Sequence, residues 1–344
     1  MSRKVVVISP MRNEGWIVES FLRAASQYAD YIIVGNHFST DDTIEIARKF
    51  PKVIIVDAST SAYDERARRN DLLIEARKLG ENNLILAIDA DEMLDPRFLS
   101  VGGISQLLEL PVGTRIHFPS FNILTDFQGY WQSPVGATGF IDDGSLHAES
   151  SKIHFPRIPP VAPEHVPKIK ATRYTHEFGG LIHFQYLDWG RMLSKTIWYK
   201  AWEVVNQPSR SPLRVYRRYQ HIDLIPKRRN KPIPNDWDPF FLEMGIQDAV
   251  SKSKAAGHFW WQRETSEMLT IISTGTQAIL GLNEIQPNSQ SDSDRADYSK
   301  YEKKLKAYLH FTSGLSRYSL ALPARLLLNA FDLIFDKINS PRKS

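Results

Sequence analysis

The chain has 344 residues, 42% hydrophobic and 24% charged, which is long enough for one large globular domain with an extension or for two domains. It contains no cysteine, and this excludes disulfide bonds, thiolate catalysis and zinc sites with cysteine ligands. The net charge of +4 is too small to indicate nucleic-acid binding. The N-terminal segment lacks signal-peptide features and no stretch reaches the roughly 18 apolar residues of a membrane span, so we expect a cytoplasmic protein.

The first hundred residues alternate between short apolar runs and amphipathic segments. The apolar runs predict strands at 4–10, 30–35, 52–58 and 83–88. The amphipathic segments predict helices at 15–28, 41–50 and 64–80. Strict alternation of this kind is typical of βαβ units in a doubly wound parallel sheet, where ligands bind at the carboxyl ends of the strands. We therefore expect the functional residues at that edge.

Three acids, Asp89, Asp91 and Glu92, follow the fourth predicted strand in "LILAIDADEML". Clustered carboxylates repel each other and resist burial, so the cluster needs a compensating charge. An Asp-x-Asp pair at a strand end offers oxygen ligands to Mg²⁺ or Mn²⁺, which in turn holds substrate phosphates. One alternative is a solvated turn, with Asp95 capping a helix that begins at Pro96. Another is a phosphatase-like aspartate nucleophile, although that motif usually ends the first strand.

Four motifs in a fixed order, "VVVISPMRNEGWIVESFL", "YIIVGNHFSTDDTIEIA", "ERARRND" and "LAIDADEML", resemble the catalytic half of family 2 glycosyltransferases of the GT-A fold. The resemblance covers about residues 3–100 and is nearest to a bacterial subgroup with "RNE" and "DADE" at these positions. It implies an α/β fold with a Rossmann-like, doubly wound, mostly parallel sheet and a mainly α-helical C-terminal extension.

The resemblance also assigns residue roles. It implies nucleotide-sugar contacts from Pro10, Arg12, Asn13, Glu14, Asn36, Ser39, Asp41, Arg66, Arg69 and Asp89, and it makes Asp91 the ligand of Mg²⁺ or Mn²⁺ on the diphosphate. The family usually has an aspartate at position 36 that reads the N–H of uracil, whereas Asn36 both donates and accepts. The donor base stays open among uracil, thymine and guanine. The alternative is that Asn36, Ser39 and Asp41 form a turn and cap the next helix.

Sugar transfer with inversion needs a general base for the acceptor hydroxyl. The candidates in the second half are Asp142, Asp143, Glu149, Glu177 and Asp188. The pair His176–Glu177 before "LIHFQYLDW" resembles a His-Glu pair in bacterial enzymes that modify lipopolysaccharide cores. We therefore rank Glu177 first and Asp143 second.

Two further residues are candidates in the second half. His183 lies on a predicted strand and either completes the metal site with Asp91 or is a hydrogen-bonded core histidine. Lys195 shares one face of a predicted helix with Arg191 and Tyr199. That face either meets the leaving diphosphate or is simply solvated.

We predict a GT-A domain at residues 1–225, with a nucleotide-sugar-binding half at 1–110 and an acceptor half at 111–225, followed by a helical extension at 226–344. The predicted activity is metal-dependent transfer of a sugar, with inversion, from a nucleotide-diphosphate sugar to a hydroxyl of a glycan or lipid-linked acceptor. The alternatives are a nucleotidyltransferase of similar fold and a non-catalytic nucleotide-sugar-binding protein. The sequence leaves the oligomeric state open.

A basic linker and a leucine-rich tail favour one interpretation, in which the protein makes peripheral contact with the inner face of a membrane. Asp332 and Asp336 in the tail count against this contact. Packing of the tail on its own domain or on a second subunit is the favoured interpretation.

Overall fold

The computed structural model describes residues 3–147, 156–160, 171–208, 210–220, 222, 230–256, 260–282, 304, 307–308, 312 and 328–335. Within these ranges the strands are β1 Val5–Met11, β2 Tyr31–Asn36, β3 Val53–Asp57, β4 Leu84–Ala87, β5 Glu92–Leu94, β6 Arg115–Ile123, β7 Tyr130–Ile141, β8 Ala171–Arg173 and β9 Leu181–His183. The α-helices of residues 3–282 are α1 Val18–Ser26, α2 Thr43–Ala47, α3 Glu65–Arg77, α4 Pro96–Ser100, α5 Gly103–Leu108, α6 Trp189–Asn206, α7 Pro212–Tyr219, α8 Asp238–Met244, α9 Ile246–Ala255, α10 Trp260–Leu269 and α11 Thr274–Leu280, and a further helical segment lies at 328–335.

The strands form one sheet in the order β3-β2-β1-β4-β7-β6-β9-β5, with β8 beside β6. The first four of these strands run parallel to one another, and β7 joins them antiparallel to β4. Both β8 and β9 run parallel to β6. The predicted fold class, an α/β protein with a mostly parallel sheet, is confirmed.

Helices cover both faces of the parallel strands. Val5 and Val7 of β1 belong to a core cluster shared with α1, whereas Val6 and Ile8 belong to a second cluster shared with α3. Successive side chains of a strand point to opposite faces, so strands buried on both sides need continuous apolar runs. This explains why the sequence shows unbroken apolar runs and confirms the predicted doubly wound arrangement.

Helix α3 packs very closely on β2. A Cβ atom added to Gly35 would lie 2.9 Å from Cδ2 of Leu72, which is closer than real Cβ contacts. Glycine at this position therefore lets the helix approach the sheet. Asp64 caps the helix by accepting from the N–H of Ala67 at 3.0 Å.

The chain folds as two compact units whose segments alternate along the sequence. The first unit comprises Met1–Trp189 and Arg229–Gly257, and the second comprises Gly190–Arg228 and His258–Ser344. This division does not coincide with the sequence-based boundary between 225 and 226. Trp237 is fully buried in the first unit and donates to Asp95 at 3.2 Å. Contacts between residues so far apart in the chain leave no local sequence pattern, which explains the difference.

The second unit is helical and contains buried charge. Arg217 and Asp332 form an ion pair at 3.2 Å with almost no exposure of either side chain. The buried carboxylate of Glu203 accepts from the hydroxyl of Tyr219 at 2.7 Å. None of the helices in the described part of the chain is both long and apolar enough to cross a membrane.

Candidate active site

The carboxyl ends of the parallel strands meet at one edge of the sheet. Met11 pairs with Asn36, and Asn36 pairs with Asp57, so β1, β2 and β3 end at the same level. Ala87 of β4 pairs with Ile8, and the chain then continues to the acid cluster. The segments that follow β1, β2 and β4, each part of a motif singled out in the sequence, therefore share one edge of the sheet.

Asn13 ties the loop after β1 to the loop after β2. Its backbone has a positive φ of 55°, a conformation that asparagine adopts more readily than most residues. Its Oδ1 accepts from the backbone N–H of Thr40 at 2.7 Å, and its own N–H donates to Oγ of Ser39 at 3.1 Å. This buried side chain therefore shapes both loops of the edge.

Asp41 fastens the same two loops from the other side. Its carboxylate accepts from the N–H of Gly15 at 2.9 Å and from the N–H of Thr43, the first residue of α2, at 3.0 Å. A Cβ atom on Gly15 would lie 1.9 Å from Oδ1 of Asp42. Ser39 and Asp41 thus form the turn that the alternative prediction describes, although the N-cap residue of α2 is Asp42. Their donor contacts stay predictions.

Asn36 is paired with a carboxylate that the sequence argument did not single out. Its Nδ2 donates to Oδ1 of Asp57 at 2.7 Å, and its Oδ1 accepts from the N–H of Ser39 at 3.0 Å. Both amide atoms of Asn36 are therefore engaged, while Asp57 is exposed. The available signal was its position as the last residue of β3, level with Asn36.

Arg157 supplies the cation that the acid cluster needs. Its Nη2 donates to Oε1 of Glu92 at 2.8 Å and to Oδ2 of Asp89 at 3.0 Å, and its Nη1 also bonds Glu92. Arg69 approaches Asp89 from α3, with Nη2 3.7 Å from Oδ1. Burial alone would lower the pKa of Arg157, but Asp89 and Glu92 outweigh burial and raise that pKa above its ordinary value.

Sequence reasoning missed Arg157 because it lies in a proline-rich stretch without periodicity. Its neighbour Ile158 is buried in the core cluster that α3 shares with the sheet. That apolar anchor places the guanidinium over the acids.

Asp91 and His183 form the second pair of the cluster. Nε2 of His183 lies 3.6 Å from Oδ1 of Asp91, and Nδ1 lies 3.1 Å from Oδ1 of Asn122. Burial alone would lower the pKa of His183, but Asp91 and Glu92 outweigh burial and raise it. Because Asn122 engages Nδ1, Nε2 is the nitrogen that faces Asp91, as in histidines that bind a metal through Nε2.

This pair fits one divalent ion. Two ligand atoms that are each about 2.1 Å from a common ion lie within about 4 Å of each other, as these two do. In the described part of the chain no group of three or more His, Cys, Asp or Glu side chains is arranged for a metal.

The other predicted donor residues lie on the same strand ends or at the start of α3. Pro10 pairs with Gly35 in the sheet, and Glu14 accepts from Nε1 of Trp16 at 2.7 Å. Arg12 follows β1 directly, and Arg66 lies 3.9 Å from Asp64. Their donor contacts stay predictions.

Asp143 lies at the other edge of the sheet from the acid cluster. Ile141 of β7 pairs with Leu84, the first residue of β4, so the residues after β7 lie at the amino end of that strand. The carboxylate of Asp143 is buried, accepts from Oγ of Ser145 at 2.6 Å and lies 3.4 Å from Arg115. The structure does not bring Asp143 to Asp91, and its role as base stays a prediction.

Glu177 is exposed in the turn that precedes β9. The strand that follows this turn carries His183 and pairs with β5 through Glu92. Lys195 lies on the part of α6 that belongs to the second unit. The roles of Glu177 as base and of Lys195 as a diphosphate contact stay predictions.

No family model matches the chain, and no curated protein matches it. Among solved structures, it is similar to glucosyl-3-phosphoglycerate synthase from Mycobacterium tuberculosis in complex with phosphoglyceric acid, at 23% identity over 35% of this chain and 44% of that one, with a TM-score of 0.25. It is also similar to 4-diphosphocytidyl-2C-methyl-D-erythritol synthase, at 19% identity over 40% of this chain and 75% of that one, with a TM-score of 0.29. A third is HddC from Yersinia pseudotuberculosis, at 14% identity over 56% of this chain and 99% of that one, with a TM-score of 0.30. This chain spans less than half the length of the first of these proteins.

Proposed function

We propose that this chain is a metal-dependent glycosyltransferase that moves a sugar, with inversion, from a nucleotide-diphosphate sugar to a hydroxyl of a glycan or lipid-linked acceptor. One observation carries the proposal. Asp91 and His183 lie 3.6 Å apart at the carboxyl end of the parallel strands. That edge is where open α/β sheets bind their ligands.

The donor would lie along the strand ends. Asn36 and Asp57 present an amide and a carboxylate at the end of β2 and β3, and these groups suit the polar edge of a nucleobase. Asp89 would accept from the ribose hydroxyls, with its carboxylate held by Arg157 and Arg69. These contacts leave Asp91 and His183 for the diphosphate end of the donor.

Asp91 and His183 would hold Mg²⁺ or Mn²⁺. When bound, such an ion stabilises the negative charge of the departing diphosphate. Asn122 keeps the imidazole of His183 in place. Arg157 compensates the negative charge of Glu92 beside it. The chain therefore supplies an ion site whose orientation is fixed before the donor arrives.

Glu177 would take the proton of the acceptor hydroxyl. It is exposed, so an acceptor arriving from solvent can reach it, and its turn leads into the strand of His183. The carboxylate attracts the proton as the hydroxyl oxygen attacks the anomeric carbon and the bond to the diphosphate breaks.

The first test is a panel of nucleotide-diphosphate sugars and nucleoside triphosphates, assayed with and without Mn²⁺. The proposal expects release of nucleoside diphosphate, dependence on Mn²⁺ and loss of release in Asp91→Asn. Asp126→Asn is the matched control, because it removes an exposed acid that pairs with Lys254 in the same unit. Release of pyrophosphate from a triphosphate would instead show a nucleotidyltransferase. Binding without any release would show a non-catalytic protein.

A further inference from the structure

The helix at 328–335, here called the tail helix, carries its charge inward and its apolar residues outward. Asp332 is only 1% exposed, whereas Phe331, Leu333 and Ile334 are 46%, 53% and 53% exposed. A surface helix normally has charged side chains on its solvent-exposed face and apolar side chains on its buried face. The reversed arrangement indicates that the outer face of the tail helix is a contact surface for an apolar partner.

A buried ion pair fixes this orientation. Asp332 accepts from Nε and Nη2 of Arg217 at 3.2 Å, and it also accepts from the hydroxyl of Tyr308 at 2.7 Å. Phe335 stacks on Tyr308 with the ring centroids 4.3 Å apart. Turning the helix over would leave the guanidinium of Arg217 buried without its acid, which is a large penalty.

The outer face is continuous along the helix. At 100° per residue, Leu333, Ala330, Ile334 and Phe331 follow one another around the side opposite Asp332. The outer face of the tail helix therefore presents one alanine and three large apolar side chains and no charged side chain.

The surrounding sequence is basic. Residues 313–344 contain five basic residues, which are Arg317, Arg325, Lys337, Arg342 and Lys343. They contain two acids, of which Asp332 is already neutralised by Arg217. Asp336 is then the one acid of this stretch that the ion pair does not account for.

We propose that the outer face of the tail helix docks on the surface of an anionic lipid bilayer. Phe331, Leu333 and Ile334 would enter the boundary between headgroups and acyl chains, and the basic residues of 313–344 would meet anionic headgroups. Charge complementarity selects this partner, because an apolar face amid basic sequence suits a negatively charged interface. The proposal does not depend on sugar transfer. In the sequence analysis Asp332 counts against membrane contact, but that objection holds only for an aspartate that faces outward. Asp332 is buried and therefore does not oppose membrane contact.

The first experiment is flotation of the full chain with vesicles of phosphatidylcholine alone or mixed with phosphatidylglycerol. We expect binding to the mixed vesicles, weakening at high salt. The triple variant Phe331→Ser, Leu333→Ser, Ile334→Ser should lose at least about tenfold in binding, since it removes three apolar insertions. The matched control is Leu242→Ser with Ile271→Ser, two side chains that are 76% and 73% exposed elsewhere.

A second experiment keeps the proposal testable if the triple variant folds poorly. The chain has no cysteine, so Ile334→Cys and Leu242→Cys each give a single site for an environment-sensitive fluorophore. Anionic vesicles should shift the emission of the label at 334 to the blue and leave the label at 242 unchanged.

Three outcomes would overturn the proposal. The wild-type chain could fail to float with anionic vesicles, or it could bind neutral vesicles equally well. The label at 334 could shift to the blue as protein concentration rises without lipid, with the triple variant lowering the oligomeric state in sedimentation. That last result would make the outer face of the tail helix a contact between copies of this chain.

Discussion

The guanidinium of Arg157 lies against the buried carboxylate of Glu92, with Nη2 2.8 Å from Oε1. The side chain of Glu92 is 2% exposed and that of Arg157 is 24% exposed. Arg157 thus compensates the charge of Glu92, whose carboxylate also accepts from the N–H of Asp89 at 3.1 Å. With Arg157 against Asp89 and Glu92, and His183 3.6 Å from Asp91, three acids share a strand end without mutual repulsion dominating.

Arg157→Ala should therefore destabilise the chain by about 3 kcal/mol, because it removes the guanidinium that compensates the buried carboxylate of Glu92. The double variant Arg157→Ala with Glu92→Gln should recover much of that loss, since the uncompensated charge is gone. Urea unfolding of the wild type, both single variants and the double variant gives the coupling free energy between the side chains of Arg157 and Glu92. Additive effects of the two substitutions would show that the contact carries little energy.

Gly15→Ala should destabilise the strand-end loops by about 1 kcal/mol, because its Cβ would lie 1.9 Å from Oδ1 of Asp42 and 2.9 Å from Oδ2 of Asp41, which accepts from the N–H of Gly15. Gly136→Ala is the matched control, since nothing lies within 4 Å of its added Cβ. Thermal unfolding should show a lower midpoint for the first variant and little change for the second. Adding Asp42→Ala to Gly15→Ala should restore part of the midpoint. A Gly15→Ala protein as stable as the wild type would contradict this account of the loop.

The parallel half of the fold was predictable because its strands are buried on both faces and leave continuous apolar runs. The acid cluster was predictable for the same reason, since it directly follows one of those runs. Arg157 was not, because 65 residues separate it from Glu92 and its own surroundings have no periodicity. Trp237 was assigned to an extension, yet it donates to Asp95 inside the first unit. Both contacts are long-range packing events, and a sequence pattern records only neighbours along the chain.

The chain should lose stability as the pH falls from about 6.5 toward about 4. Burial, followed by the nearby Arg68 and Arg12, lowers the pKa of His37 to about 4. Burial, followed by Arg69, Arg115 and Arg66, lowers the pKa of His147 to about 4 as well.

The sign follows from proton binding. Below its ordinary pKa each histidine takes up a proton in the unfolded chain but not in the folded one, so acid favours unfolding. Urea unfolding between pH 7 and pH 4.5 should show this decline, and His37→Gln or His147→Gln should flatten it. An unchanged slope in both variants would assign the decline to other groups.

Asp57→Asn should change which nucleoside diphosphate the protein binds. The substitution removes the carboxylate that accepts from Asn36 at 2.7 Å and replaces it with an amide that both donates and accepts. We expect the relative affinities for uridine and guanosine diphosphate to change by about tenfold, the effect of one charge-assisted hydrogen bond. Titration calorimetry measures this without any turnover. Asp126→Asn serves as the control, and equal shifts for both nucleotides would remove Asp57 from base recognition.

Asn122→Ala should weaken Mn²⁺ binding although Asn122 would not touch the ion. Its Oδ1 lies 3.1 Å from Nδ1 of His183 and orients the ring so that Nε2 faces Asp91. Removing such an orienting partner typically weakens a metal site by about 10- to 100-fold.

Electron paramagnetic resonance of Mn²⁺ in the presence of nucleoside diphosphate reports bound and free ion without relying on activity. The expected order of affinity is wild type, then Asn122→Ala, then Asp91→Asn, because the last variant changes a direct ligand. Asn122→Asp should retain more affinity than Asn122→Ala, since a carboxylate still accepts from Nδ1. If Asn122→Ala bound Mn²⁺ as tightly as the wild type while Asp91→Asn did not, Asn122 would not be the group that orients His183 for the ion.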